Sequence, residues 1–266
     1  PGESVRCMSL NPNGMCMWRR KNYKADRLKS ILDKYQLDAV GLQEVCINWA
    51  RYKASDTLAA LLRSCHEPLR NVRSYNEHES DNIGTVQRGG TATMLRGPLS
   101  QFVKDQGSDL TMLGRWSWYK VEGEPGHVTR FVSAYAPTGS NRNSDPKSTY
   151  KQQYRYIQEK GLRTNPIRMF WDDLCEALQQ WRERGDRIVL MMDSNNCVHQ
   201  GKFTKRLKDL GMKEAVHASV PGRGPNTHQE GSKPINGIWF TPDLTLQKAS
   251  YLPYDPQLGD HRPVLA

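Results

Sequence analysis

Four short apolar runs, each ending abruptly in a polar motif, limit most strictly what this chain can fold into. They close on Leu42-Gln43-Glu44-Val45, Ala134-Tyr135-Ala136-Pro137-Thr138, Met192-Asp193-Ser194-Asn195 and Gly259-Asp260-His261-Arg262. Apolar runs of about four to eight residues bounded by such breaks read as buried strands. Side chains at strand ends in a sheet protein converge on a common cleft. The polar motifs are therefore expected on one rim.

The residues between them support this. Residues 4–10 form a strand that enters the turn Asn11-Pro12-Asn13-Gly14. Ala25, Leu28, Ile31, Leu32 and Tyr35 then recur at helical spacing, and Ala39–Gln43 follows as a strand, so a β-α-β unit ends at Glu44. Leu58 to Leu62 predict another helix, and Thr91–Leu95, Trp116–Val121 and Val128–Ala134 predict strands of one sheet. A helix over 168–183, with Phe170, Leu174, Ala177, Leu178 and Trp181 on one face, precedes the strand Arg187–Met192 and Asp193. A short helix near 202–210, a Gly/Pro-rich loop over 221–234 and a strand at Gly237–Phe240 come last. Each half runs from helix to strand to acidic residue. Two such halves face to face make a layered α/β sandwich with one cleft. Residues 139–166, rich in Ser, Asn, Lys, Arg and Tyr, read as an inserted basic surface loop, helical in part.

With 266 residues and no linker long enough to divide it, the chain (1–266) reads as a single domain. It starts without Met and stops inside the strand-like run Arg262–Ala266, and is expected to be a piece of a longer polyprotein. No apolar stretch approaches the roughly 18 residues of a membrane span. The formal net charge of +10 points to an acidic partner, nucleic acid being the commonest, or else serves solubility alone. The six cysteines form no C-x-x-C pair and no zinc spacing with histidine. Unpaired thiols without a secretory signal favour an intracellular compartment.

Glu44 ends an apolar strand, where its carboxylate either holds a hard cation such as Mg²⁺ or opens a surface loop. Asp260 can give the same ion a second carboxylate. Asp193 and Asn195 point to one side if the chain stays extended; Asp193 would then orient or deprotonate a water while the Asn195 amide holds a phosphate oxygen. The competing reading is an Asx-turn that ends the strand, with Asn196 in it. Tyr135 is either a hydroxyl donor to phosphate or a core side chain. Asn11 orients the metal or a phosphate, or serves its turn. His261 follows Asp260 and suits a contact to developing negative charge; none of His66, His78, His127, His199, His217 and His228 has a comparable setting in the sequence. A Glu, an Asp-x-Asn, a Tyr and an Asp-His pair on one rim point to metal-assisted phosphoester hydrolysis.

With these motifs in order, from Ser9-Leu10-Asn11-Pro12-Asn13-Gly14 to Gly259-Asp260-His261, the chain resembles the endonuclease/exonuclease/phosphatase superfamily, the deoxyribonuclease-I-like fold. The resemblance implies a four-layered α/β sandwich, two facing mixed sheets flanked by helices, with a divalent-metal site. It makes Glu44 the metal ligand with Asp260 and Asn11 nearby, Asp193 the water-activating carboxylate, Asn195 its phosphate-binding neighbour, and Tyr135 and His261 phosphate contacts. Gln87–Ala92, Ser133–Thr138 and Pro234–Trp239 look most like the apurinic/apyrimidinic-type endonuclease domains of non-LTR retrotransposons. That likeness implies a Mg²⁺-dependent (or Mn²⁺-dependent) enzyme in the nucleus. It would nick DNA, leave a 3′-hydroxyl and a 5′-phosphate, and be fused to a reverse transcriptase. A 3′-exonuclease or phosphatase of the same fold is the alternative. Two residues depart from the pattern. Thr138 stands where many relatives have Asn, and its hydroxyl can still donate to phosphate. Asn236 stands where the family has Asp; an amide there weakens the cation on His261, leaves its orientation open, and makes a DNA-binding domain with impaired catalysis a further alternative.

Three basic stretches can follow a phosphate backbone. The first holds Arg19 and Arg20. The second, in the insert, has Arg142, Lys147, Lys151 and Arg155 among Tyr150, Tyr154 and Tyr156. Basic residues among aromatics suit phosphate contact with base stacking, or form a solvated face. The third stretch, Lys202, Lys205, Arg206 and Lys208, reads as a solvated helix face.

Overall fold

The apolar runs pair laterally into two separate sheets in the computed structural model, which describes residues 4–17, 23–62, 67–139, 145–222 and 224–266. Along the chain, β1 (Cys7–Leu10), α1 (Tyr23–Tyr35), β2 (Ala39–Gln43), α2 (Leu58–Leu61), β3 (Leu69–Ser74) and β4 (Thr91–Arg96) come first. Then follow β5 (Val103–Ser108), β6 (Trp116–Glu124), β7 (His127–Tyr135), α3 (Thr149–Glu159), α4 (Pro166–Glu183) and β8 (Arg187–Asp193). The last elements are α5 (Lys202–Asp209), β9 (Lys213–Glu214), α6 (Ala215–Ser219), β10 (Asn236–Phe240), β11 (Ser250–Tyr251) and β12 (Val264–Leu265). One six-stranded sheet has the order β11-β12-β1-β2-β4-β3, the other β5-β6-β7-β8-β10-β9. Both are mixed: β1 runs parallel to β2 and β7 parallel to β8, with antiparallel neighbours beyond.

The period of two along each strand builds the layers. Met8, Leu10, Val40 and Leu42 pack on Leu28, Ile31 and Leu32 of α1. Ile188, Leu190 and Met192 pack on Phe170, Leu174, Leu178 and Trp181 of α4. The alternate residues Cys7, Ala39, Val189 and Met191 form the core between the sheets. Each leucine or isoleucine that α1 removes from water contributes about 1.5–3 kcal/mol. Helix α4 has clear start and stop signals: the Asn165 side chain accepts from the Arg168 N–H at 3.0 Å, Pro166 opens the helix, and Gly185 takes φ +84° just past its end. The result is helix, sheet, sheet, helix, the α/β sandwich expected. Among the described residues no helix is long and apolar enough to cross a membrane, and Cys7, Cys16, Cys46, Cys175 and Cys197 form no disulfide with one another.

The sheets pack tightly against each other at Gly41. A Cβ there would lie 2.6 Å from Met191 Cβ and 3.2 Å from Ser133 Cβ. Around this point a polar seam replaces the apolar filling. The Gln43 amide donates to Ser133 Oγ at 3.1 Å and to the Met191 carbonyl at 3.3 Å, Ser133 Oγ donates to the Leu42 carbonyl at 2.8 Å, and Thr93 Oγ1 donates to the Ser117 carbonyl at 2.9 Å.

Some sequence expectations change. The strands at Thr91, Trp116 and Val128 do not share a sheet: β4 lies in the first, β6 and β7 in the second. Strands β3 and β5 gave no apolar signal because each is the edge strand of its sheet. The inserted segment is helical in part as expected, residues 149–159 forming α3 with Ser148 as its cap, but it is not all surface: Gln152, Gln153 and Ile157 are buried.

Gly41→Ala is expected to lower the unfolding free energy by about 1–3 kcal/mol through overpacking. Gly84→Ala, where nothing lies within 4 Å of an added Cβ, should stay within about 0.5 kcal/mol. Urea unfolding of the two variants checks this.

Candidate active site

Sheet register sets the first part of the site. Tyr135 lies opposite Asp193, and Asp193 opposite Asn236, so the ends of β7, β8 and β10 present the three side by side. Asn11 follows β1, whose last residue Leu10 pairs with Leu42, and Glu44 follows β2, which runs one residue further to Gln43. Sheet stacking brings the two groups together. Glu44 and Cys46 sit at φ +48° and +54°, a conformation that non-glycine residues avoid. Backbone hydrogen bonds on both sides hold this turn: Gly14 N–H to Glu44 O, Met15 N–H to Val45 O, Val45 N–H to Gly90 O and Cys46 N–H to Gly89 O.

Asn11 joins the two sheets chemically. Its fully buried amide nitrogen donates to Glu44 Oε2 at 3.1 Å and to Asp193 Oδ2 at 2.8 Å, and its Oδ1 accepts the Asn13 N–H at 2.8 Å. Tyr135 is hydrogen-bonded to Glu44. Burial, with Glu44 and Asp193 close by, holds the Tyr135 hydroxyl well above its usual pKa, so it stays a donor. Burial also raises the Glu44 carboxyl; Asp193 and Asp260 add to this, while hydrogen bonds from Asn11 and Tyr135 oppose it. Three carboxylates thus converge with amide and hydroxyl donors between them. Asp260 Oδ1 is buried and has no hydrogen-bond partner. A hard divalent cation fits this donor set, since oxygen ligands suit it and its charge relieves the crowding.

The geometry at Asp193 differs from the extended one that the i, i+2 spacing predicts. Asn195 is left-handed at φ +49°; its N–H donates to Asp193 Oδ1 at 3.0 Å and its amide to the Ala136 carbonyl at 2.7 Å. The Asx-turn and the site therefore share the same residues, and Asn195 braces the loop after β7. Asn196 belongs to the same turn through Ser194.

His261 is buried beside Asp193. Its Nδ1–H donates to Asn236 Oδ1 at 2.8 Å, and its Nε2 lies 3.9 Å from Asp260 Oδ1. Asn236 thus keeps the ring oriented. Burial lowers the His261 pKa and His228 adds to this; Asp193 and Asp260 oppose. The Asn236 amide nitrogen is buried without a partner.

Two side chains at the site gave no functional signal in the sequence. Asn13, read only as a turn residue, donates from Nδ2 to Asp260 Oδ2 at 3.1 Å. His228, set aside with the other histidines, places Nε2 3.4 Å from Asp260 Oδ2 and its ring 4.8 Å from that of His261. Its partner lies on a different loop, which no local pattern can reveal. Lys24 secures the turn under Asp260 by donating to the carbonyls of Pro12, Asn13 and Gly14.

The basic residues fare unevenly. Arg19, Arg20 and Arg142 lie outside the described residues. Thr138 is half-buried just after β7, Lys147 is exposed, and Lys151 is half-buried in the first turn of α3. Arg155 instead forks onto Glu79 at 2.8 and 2.7 Å and donates to the Pro146 carbonyl at 2.9 Å, so it braces α3. Tyr150 and Tyr154 stack on each other, with centroids 6.3 Å apart. On α5, Lys205 pairs with Asp209 and Arg206 with Asp172.

Asn11→Ala leaves buried carboxylate oxygens without their donor. It is expected to cost roughly 1–3 kcal/mol in urea unfolding with a chelator present, and an added divalent cation should narrow the difference.

The whole chain can be set beside known proteins. Its fold is similar to that of the Neisseria 3′ phosphatase NExo bound to product DNA hairpin: TM-score 0.65, 16% identity, covering 99% of this chain and 98% of that one. It is also similar to an AP endonuclease from Archaeoglobus fulgidus (TM-score 0.65, 15% identity, 98% of both chains). The Xenopus laevis APE2 catalytic domain gives a TM-score of 0.64 at 15% identity, covering 98% of this chain and 91% of that one. A comparison with curated proteins gave no match. The model of the endonuclease/exonuclease/phosphatase family matches residues 17–254. With that span matched, and with carboxylate, amide, hydroxyl and imidazole groups gathered where two mixed sheets meet, this chain belongs to the endonuclease/exonuclease/phosphatase family.

Proposed function

We propose that the chain is a Mg²⁺-dependent endonuclease that nicks DNA. The observation that carries this reading is the meeting of Glu44 and Asp193 at the Asn11 amide, with Asp260, Tyr135 and His261 beside them. Glu44 and Asp260, with Asn11 next to them, are the residues to hold the ion. When bound, it supplies positive charge to the phosphate oxygens; Mn²⁺ suits the same donors. Asp193 orients the attacking water and takes its proton. Tyr135, when its hydroxyl turns from Glu44, the second amide hydrogen of Asn195, and His261, when protonated on Nε2 as well, supply hydrogen bonds to the charge that develops on the phosphate. Water attacks phosphorus and the P–O3′ bond breaks; the 3′ oxygen takes a proton from solvent water, giving a 3′-hydroxyl and a 5′-phosphate. A net charge of +10 favours a polymeric polyanion over a small phosphoester. The segments Gln87–Ala92, Ser133–Thr138 and Pro234–Trp239 favour the retrotransposon type, in which the nick primes a fused reverse transcriptase in the nucleus.

One observation favours a weakened form of this activity. An Asn at 236 orients His261 but gives it no negative charge, and burial already disfavours the imidazolium. In supercoiled-plasmid nicking with Mg²⁺, Asn236→Asp should raise the rate by roughly one to four orders of magnitude, by analogy with Asp-to-Asn exchange beside a hydrolase histidine. Glu44→Gln in either background should abolish it. Equal nicking with Asn and Asp at 236 would remove the role given to that position. Cleavage only of short 3′-ended oligonucleotides would favour the exonuclease or phosphatase reading.

Lys147 and Lys151, at the start of α3, are the described basic residues best placed to follow a backbone. Lys147→Ala and Lys151→Ala together should flatten the salt dependence of DNA binding by about one unit of log–log slope per lost phosphate contact. Arg155→Ala, already paired with Glu79, should destabilise the fold and leave the slope unchanged.

A further inference from the structure

We infer that His228 is a positioning residue for Asp260, and that it turns one oxygen of this carboxylate toward the cation; the inference rests on the metal-dependent reading above. The two oxygens of Asp260 have different surroundings. Oδ2 receives the Asn13 amide at 3.1 Å and faces His228 Nε2 at 3.4 Å. Oδ1 is buried, has no hydrogen-bond partner, and lies 3.9 Å from His261 Nε2. A buried carboxylate oxygen without a donor is costly unless a ligand takes it. Anchoring Oδ2 presents Oδ1.

The hydrogen bonds of His228 set its tautomer. The Glu230 N–H donates to His228 Nδ1 at 3.2 Å, so the proton of the neutral ring sits on Nε2, the nitrogen that faces Asp260. The backbone fixes where the ring sits. Gln229 N–H donates to the Asp260 carbonyl at 3.0 Å and Arg262 N–H to the Thr227 carbonyl at 2.8 Å, which pairs His228 with His261 in an antiparallel bridge. Thr227 Oγ1 in turn accepts the N–H groups of Ile235 and Asn236 at 2.8 and 3.1 Å. The Thr227-His228 segment therefore ties Asp260, His261 and Asn236 into one unit.

His228, Asp260 and His261 also bring ligand-type atoms within 4.8 Å of one another. Direct coordination by His228 would need a lone pair on Nε2, while Nδ1 already accepts a hydrogen bond. Its role is thus to donate to Asp260, as residues behind metal ligands commonly do.

Mn²⁺ binding, followed by the electron paramagnetic resonance signal of the free ion, tests this without turnover. The chain would be compared with His228→Phe, which keeps the ring packing but loses the donor, and with His228→Gln, whose amide restores a donor near the Nε2 position. Circular dichroism and thermal melts establish that each is folded. His228→Phe should weaken Mn²⁺ binding by about 10- to 100-fold, and His228→Gln should recover most of the loss. In the Asn236→Asp background, His228→Phe should raise the Mg²⁺ concentration for half-maximal nicking more than it lowers the rate at saturating metal. Unchanged Mn²⁺ affinity in a folded His228→Phe, with Glu44→Gln weakening it, would overturn the role of His228 alone. If the unaltered chain binds no Mn²⁺, or Glu44→Gln has no effect on binding, the metal-dependent reading falls and this inference with it. Loss of a Zn²⁺ site in His228→Phe with Mn²⁺ binding intact would make His228 a ligand and overturn the positioning role.

Discussion

The close contact of the two sheets at Gly41 is the constraint on which the rest of the structure depends. No other residue leaves room for Met191 and Ser133 at that distance. Once β2 lies this near β7 and β8, Gln43 reaches Ser133 and the Met191 carbonyl, and the polar seam forms. Buried hydrogen bonds of this kind have directional needs, so they fix how one sheet slides over the other more tightly than apolar packing does. Glu44, one residue past the seam, is then held beside Tyr135 and Asp193 of the other sheet.

The site follows from that placement. Asn11 bonds a carboxylate of each sheet with one amide nitrogen, so the cleft is also a joint between the halves of the molecule. The crowding of Glu44, Asp193 and Asp260 opposes folding unless donors or a cation offset it, and Asn11, Tyr135, Asn13 and His228 supply part of that compensation. Stability and chemistry are coupled here: the groups that suit a divalent ion are the ones that hold the sheets in register.

Position 236 shows how one atom can separate geometry from charge. Asn236 Oδ1 accepts the hydrogen bond of His261 Nδ1–H as a carboxylate would, and the ring stays in place. The remaining atom is a nitrogen with a buried, unused donor, where an Asp would have a second acceptor. The orientation that an Asp would give is preserved, while its electrostatic support is not.

The sequence by itself determined the central strands, the helices α1 and α4, and the strand-end positions of Glu44, Tyr135 and Asp193. These rest on local patterns: apolar periodicity, turn residues and caps. Edge strands β3 and β5 were hidden because a strand with one neighbour and a wet face carries no apolar alternation. Tertiary structure alone decided that Asn195 turns to Ala136 and that Arg155 is spent on Glu79. It alone placed Asn13 and His228 beside Asp260. Each of these depends on a partner far away in sequence, and the distance between them is set by sheet stacking and loop pairing, which leave no periodic trace along the chain.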